Sequence, residues 1–219
     1  MNDALINING NGVQSLEVLF MLTFISLLPS VVIMTTSFTR ITIVLSFLRN
    51  ALGLQQTPPN NVLVGIALFL TLFIMSPVID EVNKTAYIPY KNEEITQKEA
   101  LDKASVPLKE FMLRQTEVDT LDMYMDFAGE ELQGGDYLKV PLTVVIPSFI
   151  TCELKRAFTI GFLLFLPFLL IDIVVSSTLM SMGMIMLPPA TIALPFKILL
   201  FITVDGWQLL FSTLIKGFQ

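Results

Sequence analysis

Four of the eleven methionines stand on alternate positions around a single glycine, Gly183: they are Met180, Met182, Met184 and Met186. A thioether is apolar and unbranched, so it packs against objects of different shape but supplies neither a general base nor an ordinary nucleophile. Pro188 and Pro189 follow at once, and prolines prevent a helix or strand from continuing. The pattern predicts a short apolar loop over residues 176–190 whose chemistry is adaptable packing.

This methionine loop has two interpretations. In the first, it is a buried turn whose side chains fill irregular gaps in the protein's own core. In the second, it is a deformable seal across a pore lined by several copies of the chain, and Gly183, Pro188 and Pro189 are hinge residues that let the loop bend inward. The spacing alone leaves both interpretations open.

The sequence lacks several residue types and motifs on which many enzyme sites depend. It has no histidine, which is the commonest general base and metal ligand, and one cysteine, Cys152, which excludes an intrachain disulfide and a thiolate cluster. No phosphate-binding loop, dinucleotide fingerprint or nucleophile elbow occurs. We therefore predict no enzymatic activity, no catalytic residue, no metal and no cofactor.

The composition is that of a membrane-associated protein. Of the 219 residues, 53% are hydrophobic, and the mean hydropathy is +0.72. Four apolar stretches approach the roughly 20 residues that span a bilayer, and all contain or adjoin Pro or Gly; they cover residues 18–34, 62–78, 157–175 and 192–215. Such interruptions favour packed helices over lone lipid-facing ones. We predict an all-α, membrane-associated fold of helical hairpins with a small polar helical insertion.

Charge divides the chain into regions. Residues 80–139 contain fourteen acidic and seven basic residues, so they carry −7 of the total charge of −6 and the remainder carries +1. This segment reads as an aqueous helical insertion, and its acidity argues against nucleic acid or anionic lipid as its partner. The predicted regions are a flexible N-terminus (1–14), a first hydrophobic hairpin (15–79), the acidic region (80–139) and a second hydrophobic hairpin (140–219).

Local signals refine these regions. Gly53 is placed to end a helix, and residues 57–60, which contain Pro58 and Pro59, are placed to turn the chain into the next helix. Apolar residues at three- and four-residue intervals predict helices in the acidic region, and Pro107 is expected to divide or begin one of them.

Charged side chains within apolar segments each need a partner or water. Asp172 ends an apolar run, and Lys197 on the other arm of the same hairpin is its expected partner. For Arg40, Lys197 and the adjacent pair Lys155-Arg156, snorkelling to the membrane interface is the alternative to burial.

Three residues are candidates for contacts between like subunits. Phe111 and Tyr124 form part of an aromatic stripe on an insertion with little of its own to bury against. Glu153 cannot face Lys155 or Arg156 on a helix, so its partner lies elsewhere in the fold or on a neighbouring subunit.

Several segments in order, from about residue 15 to the end of the sequence, resemble the FliP family of flagellar type III export-gate proteins. They read TSFTRI (36–41), LRNALG (48–53), PPN (58–60), MSPVID (75–80), FMLRQT (111–116), ELK (153–155), PPATIALPFK (188–197) and DGWQ (205–208). Many flagellar relatives carry a cleavable signal segment, and we expect this chain to correspond to a form without one.

The resemblance implies a structural pore subunit for the export of unfolded flagellar substrates. Its expected partners are like subunits in a pentameric ring, FliQ and FliR, FlhB and FlhA, the MS-ring of the basal body, membrane lipid and the substrates themselves. The expected location is the bacterial inner membrane, with a large part on the periplasmic side, and the methionine loop would correspond to the family's methionine gasket. The alternative from another class is a subunit of a small-solute secondary transporter or ion channel, which broken helices and intramembrane charges would also fit.

The placement of charges predicts that the four apolar stretches do not all cross the bilayer as ordinary lipid-facing helices. If residues 80–139 are periplasmic, Lys155 and Arg156 lie on the same side unless residues 140–152 cross the membrane. Thirteen residues reach only about 20 Å as a helix, short of the roughly 30 Å hydrocarbon core. A hairpin packed among other helices and partly raised out of the membrane avoids this conflict.

Overall fold

A computed structural model describes residues 5–8, 11–130, 136–184 and 186–218. Apart from one short hairpin of strands, the described body is helical, which confirms the all-α prediction. The elements are β1 (Leu5–Ile8), β2 (Asn11–Gln14), α1 (Ser15–Met34), α2 (Phe38–Ala51), α3 (Asn60–Val82), a π-helical turn (Asn83–Tyr87), α4 (Ile88–Lys91), α5 (Gln97–Gln115), α6 (Val118–Ala128), a 3-10 turn (Tyr137–Lys139), α7 (Leu142–Ser181), α8 (Pro189–Thr203) and α9 (Gly206–Lys216).

The N-terminal segment, which we expected to be flexible, contains an antiparallel β-hairpin. Leu5 pairs with Gln14 and Ile8 pairs with Asn11. The dipeptide between the strands in the sequence is Asn9-Gly10, a pair strongly favoured in two-residue hairpin connections. The composition of the segment pointed to flexibility, whereas its turn signal and its alternating apolar residues favour pairing.

The first hairpin is built from α2 and α3 and turns where the sequence predicts. Gly53 has a φ of +79° and its N–H donates to Asn50 O at 3.0 Å, while Leu54 N–H donates to Arg49 O at 3.1 Å. This bond pattern ends a helix on a left-handed residue, which glycine adopts without steric cost. Arg49 Nη1 also donates to Asn60 Oδ1 at 2.6 Å, so the last turn of α2 holds the first turn of α3.

The acidic region forms α5 and α6, which pack against the hydrophobic helices. A capping box begins α5, because Glu99 N–H donates to Thr96 Oγ1 and Thr96 N–H donates to the Glu99 carboxylate. Pro107 neither divides nor begins a helix: it lies inside α5 and is buried. Packing of α5 against α3 and α7 holds the helix together across the proline, which is why the local signal misleads.

The longest element is α7, a single helix of 40 residues that contains Pro147 and Pro167. At 1.5 Å per residue it is about 60 Å long, twice the hydrocarbon thickness of a bilayer. This helix joins residues 142–152 to the third apolar stretch, residues 157–175, and it packs against α2, α5, α6 and α8 along its length.

By length and composition, two helices of the described part are able to cross a membrane: the run Asn60–Lys91, which includes α3, and α7. Two bent pairs raise this number to as many as four if each is one span. Val18–Met34 and Phe38–Ala51 meet at 66°, and α8 and α9 meet at 62°.

Buried side chains form two clusters along α7. The first joins α2, α3, α7, α8 and α9 and includes Ile41, Leu45, Ala157 and Leu214. The second joins α3, α5, α6 and the first turns of α7 and includes Phe111, Met125 and Phe149. The acidic region is therefore packed onto the same long helix that carries the methionine loop.

Candidate pore loop and buried ion pairs

The predicted bounds of the methionine loop, residues 176–190, are too wide, because α7 continues to Ser181 and contains Met180, and α8 begins at Pro189. The connection between α7 and α8 is shorter, and the glycine and prolines of the loop occupy the helix ends. Gly183 has a φ of +75°, its N–H donates to Met180 O at 3.1 Å, and Met184 N–H donates to Leu179 O at 3.0 Å. Gly183 thus ends α7 in the same manner as Gly53 ends α2. Pro189 is the first residue of α8, where the missing N–H costs no helical hydrogen bond. These capping positions fix where the loop starts and stops, and a hinge role for Gly183, Pro188 and Pro189 stays a prediction.

The four methionine side chains are exposed. Met180, Met182 and Met184 expose 67%, 63% and 43% of their surface, and Met186 exposes 98%. The first interpretation of the loop, in which its methionines fill the chain's own core, is therefore wrong for the single chain. Exposed apolar surfaces of this kind are typical of sites that contact other proteins or a membrane.

An apolar cavity lies between the two arms of the hairpin below the loop. Its volume is about 500 Å³, and its lining includes Leu170, Val174, Leu179, Ile192 and Phe196. Only Thr178 contributes a side-chain oxygen to the lining, and this hydroxyl donates to Val174 O at 2.8 Å. These residues form an open apolar groove between the two arms near the methionines.

Further from the loop, an ion pair between a buried lysine and a partly buried aspartate joins the arms. Lys197 Nζ donates to Asp172 Oδ2 at 2.6 Å, as expected from the sequence, and also to Ala51 O at 3.0 Å. Lys197 is buried rather than snorkelling. Because Ala51 is the last residue of α2, a cation here also satisfies the negative end of that helix. The pair pins the α7–α8 hairpin to the first hairpin.

A second ion pair lies nearer the start of α7 and joins Arg40 to Glu153. Arg40 Nε donates to Glu153 Oε2 at 2.8 Å, and Arg40 Nη2 donates to Glu153 Oε1. Arg40 exposes 2% of its surface and Glu153 none, so snorkelling of Arg40 is wrong. A forked arginine–carboxylate pair satisfies two donors and both carboxylate oxygens, which compensates for the removal of two charges from water.

The remaining N–H groups and the face of the Arg40 guanidinium contact residues that the sequence did not single out for this role. Arg40 Nη1 donates to Gly217 O at 3.0 Å, Nη2 donates to Gln115 Oε1 at 3.1 Å, and the Phe218 ring lies 3.7 Å from Cζ. Gln115 in turn donates to Phe218 O at 3.3 Å and accepts from Arg156 Nη1 at 2.9 Å. One arginine therefore ties α2 to α5, to α7 and to the residues after α9.

Two of the three expected contacts between subunits have partners within the chain. Phe111 is 4% exposed, and its ring lies 5.9 Å from Phe149 and 6.1 Å from Phe218. Glu153 is bound by Arg40. The expectation that one chain hardly supplies burial partners for these two residues is wrong, because α5 and α7 pack closely enough to cover them. Their role in contacts between subunits stays a prediction. Tyr124 is half-buried, its hydroxyl lies 3.0 Å from Thr151 Oγ1, and its interface role stays a prediction.

The two basic residues that follow Glu153 on α7, Lys155 and Arg156, bind different partners. Lys155 is exposed and donates to Glu117 Oε2 at 2.7 Å, whereas Arg156 is half-buried against Gln115. The hydrogen bond from the Lys155 ammonium lowers the pKa of the Glu117 carboxyl below its usual value. This exposed pair fastens the turn before α6 to α7.

Comparison with known proteins identifies the family. The model of the FliP family matches residues 21–214, almost the whole chain. The chain belongs to the FliP family. It is 51% identical over 205 residues to the flagellar biosynthetic protein FliP of Pectobacterium carotovorum subsp. carotovorum, covering 93% of this chain and 79% of the relative.

Two further FliP proteins extend the match across distant bacteria. That of Bacillus subtilis (strain 168) is 50% identical, with 94% of this chain and 92% of the relative covered. That of Caulobacter vibrioides (strain ATCC 19089 / CIP 103742 / CB 15) is 47% identical, with 100% and 84% covered. The resemblance seen in the sequence is confirmed, and the chain is a non-enzymatic membrane component of the flagellar export apparatus.

Proposed function

We propose that this FliP-family chain is a pore-forming core subunit of the flagellar type III export gate, through which unfolded flagellar substrates leave the cytoplasm. The methionine loop is the observation that carries the proposal. It holds four exposed thioether side chains at the tip of a hairpin whose base is fixed by the Lys197–Asp172 pair. Flexible, apolar side chains on a fixed support suit a seal that must close on itself and also yield to a polypeptide.

Such a seal requires several copies of the chain. Burying one methionine side chain is worth about 1.5–3 kcal/mol, and in the single chain Met186 gains almost none of this, being 98% exposed. Loops that meet around a common axis would bury one another and close the opening. We therefore retain the ring of like subunits, with five copies as the number that the family implies.

The membrane position follows the same reasoning. An α7 of about 60 Å exceeds the bilayer core, so a hairpin partly raised out of the hydrocarbon and surrounded by protein fits its length better than a simple span. We place the complex in the bacterial inner membrane with the acidic residues 80–139 in the periplasm. FliQ and FliR as ring partners, FlhB and FlhA of the export apparatus, the surrounding MS-ring and membrane lipid belong to the same proposal.

The alternative of a small-solute transporter or ion channel is less well supported. Its main argument was the presence of intramembrane charges, but Arg40, Glu153, Lys197 and Asp172 are engaged in structural pairs between helices. Within the described residues, no group of three or more acidic or cysteine side chains could hold a metal ion. These charges therefore have a packing role that needs no transported solute.

Replacing Met184 and Met186 with alanine tests the seal. The smaller side chains should leave a gap at the axis, so ions or small solutes should pass through the assembled complex more readily than through the wild type. The measurement is conductance or dye efflux of intact complexes in liposomes. The matched control replaces Met21 and Met34, which are exposed methionines of α1, and should conduct like the wild type. A Met184/Met186 variant that leaks no more than this control would contradict the assignment.

A further inference from the structure

The most exposed aromatic side chain of the described residues is Phe127, with 80% of its surface accessible. It lies on α6, in the acidic region, outside the segments that are long and apolar enough to cross a membrane. Other strongly exposed phenylalanines, such as Phe24 and Phe69, lie on segments able to span a membrane. The opposite face of α6 is already used, because Leu121 and Met125 are buried in the core. We therefore expect the surface of another protein molecule to bury Phe127.

Phe127 is flanked by a second apolar residue and by acids. At 100° per residue, Met123 lies about 40° around the helix from Phe127, and Asp119 and Asp126 lie about 80° and 100° away on the same side. All four side chains are exposed. Neither aspartate takes part in a salt bridge in the part of the chain that the structure describes. We call Asp119, Met123, Asp126 and Phe127 the acidic–aromatic ridge.

A cleft with apolar walls and one arginine, complementary to the aromatic and acidic side chains of the ridge, lies between α3, α5 and the residues around the end of α9. Its volume is about 700 Å³, and its lining includes Phe73, Pro77, Val78, Phe111, Arg114 and Phe218. We call this the α3–α5 cleft. Arg114 is exposed, and none of the described acids lies within salt-bridge distance of it. The cleft thus offers aromatic and aliphatic walls beside one arginine free to bind a carboxylate.

The ridge and the cleft adjoin the same buried cluster, but they lie on different sides of the fold. Met125, two residues before Phe127, belongs to the same buried cluster as Val78 and Phe111 of the cleft. The ridge is carried by α6, which packs on α7, whereas the cleft opens between α3 and α5. A contact between unlike surfaces at one level is heterologous, and repeating it generates a ring or a helical array.

We propose that the acidic–aromatic ridge of one copy occupies the α3–α5 cleft of the next copy. Phe127 enters between the apolar walls, and Asp126 accepts hydrogen bonds from Arg114, a pair that can form in fork geometry. Aromatic and arginine anchors in a desolvated pocket carry most of the binding energy in protein interfaces. This inference rests on the proposed ring of like subunits and names the surfaces that form it.

Charge reversal tests the pairing. Asp126→Arg and Arg114→Asp each place like charges opposite one another, so each should lower the fraction of multi-copy complexes at least tenfold, and the two changes combined in one chain should restore it. Phe127→Ala should also weaken assembly about tenfold or more. Leu101→Ala is the matched control, because Leu101 is an exposed apolar residue of α5 away from both surfaces, and it should assemble like the wild type. The readout is native mass spectrometry of complexes purified with their co-expressed export partners.

A second measurement does not depend on weakened assembly. Phe127→Cys combined with Ser76→Cys, at the exposed lip of the cleft, should give a ladder of disulfide-linked multimers, whereas each single variant should not. Restored assembly in the double reversal and the ladder support the proposal. Wild-type assembly by Arg114→Asp and Phe127→Ala, or reversal without restoration, overturns it, as does loss of a different bound protein while multi-copy complexes persist. If the wild-type chain forms no multi-copy complex at all, the proposed ring itself fails, which is a distinguishable result.

Discussion

Removing the negative charge of Glu153 should destabilise the whole helical frame. The Glu153→Gln variant keeps the shape of the side chain but leaves the Arg40 guanidinium buried without an anion. Breaking a buried ion pair by removing one partner costs about 3–5 kcal/mol. Here the guanidinium keeps two neutral acceptors, Gly217 O and Gln115 Oε1, and the face of Phe218, so we expect the lower end of that range.

The same reasoning predicts how the loss depends on the partner. Replacing Arg40 with Met in the Glu153→Gln background removes the stranded cation, and an apolar side chain of similar length suits the buried position. The double variant should therefore lose less stability than the sum of the two single variants, with a coupling of about 1–3 kcal/mol, as for residues in direct contact. Glu117→Gln, which breaks the exposed pair with Lys155, is the control and should change stability little.

Unfolding in detergent can be followed by the fluorescence of the single tryptophan, Trp207, whose ring lies 5.3 Å from Phe201 and 5.6 Å from Phe211. The free energies of unfolding of the four Arg40/Glu153 combinations give the coupling directly. Additive losses, or a Glu153→Gln variant as stable as the wild type, would refute the claim that this pair holds α2 against α7.

Three further changes follow from the site. Lys197→Ala should lower the midpoint of thermal unfolding, since it leaves Asp172 partly buried and frees the hairpin from α2; an unchanged midpoint in the Trp207 signal would contradict the pinning role. Gly183→Ala should cost about 1–2 kcal/mol, because a side chain disfavours the φ of +75°, although the space around the glycine is open; the same unfolding assay measures this, and a neutral result would argue against the helix cap. Lys155 lowers the pKa of Glu117 in the folded chain, so the stability that their pair adds is present above the unfolded pKa of about 4.3 and is lost as pH falls through the lower folded value. Lys155→Met should abolish this acid-dependent change in the midpoint of unfolding. An unchanged acid response in that variant would contradict the assignment.

Local signals in the sequence predicted local structure well. Gly53 ends α2 and residues 57–60 lead into α3, because a left-handed glycine and paired prolines act through their own backbone. The Lys197–Asp172 pair was also predictable, since a carboxylate at the end of an apolar run needs a cation and the other arm of the same hairpin offers one.

Features that depend on distant packing were not predictable in the same way. Arg40 and Glu153 are separated by 113 positions, and no spacing rule brings them together. Pro107 was expected to divide or begin a helix, but packing of α5 against α3 and α7 keeps that helix continuous across the proline. The exposure of the methionines also required the fold, because an apolar loop in a sequence fits a core as well as a surface.

The two ion pairs of α7 hold the helix against α2 as far as Asp172 and leave its last turns free to adjust. Glu153 and Asp172 are 19 residues apart, about 28 Å of helix, and both are tied to cations that connect α7 with α2. Beyond Asp172, nine residues, or about 14 Å, remain before α7 ends at Ser181. This last part, next to the apolar groove between α7 and α8, has no ionic tie to the first hairpin among the described residues. A seal built this way can adjust through its methionine side chains and the final turns of the hairpin while the frame that holds it stays fixed.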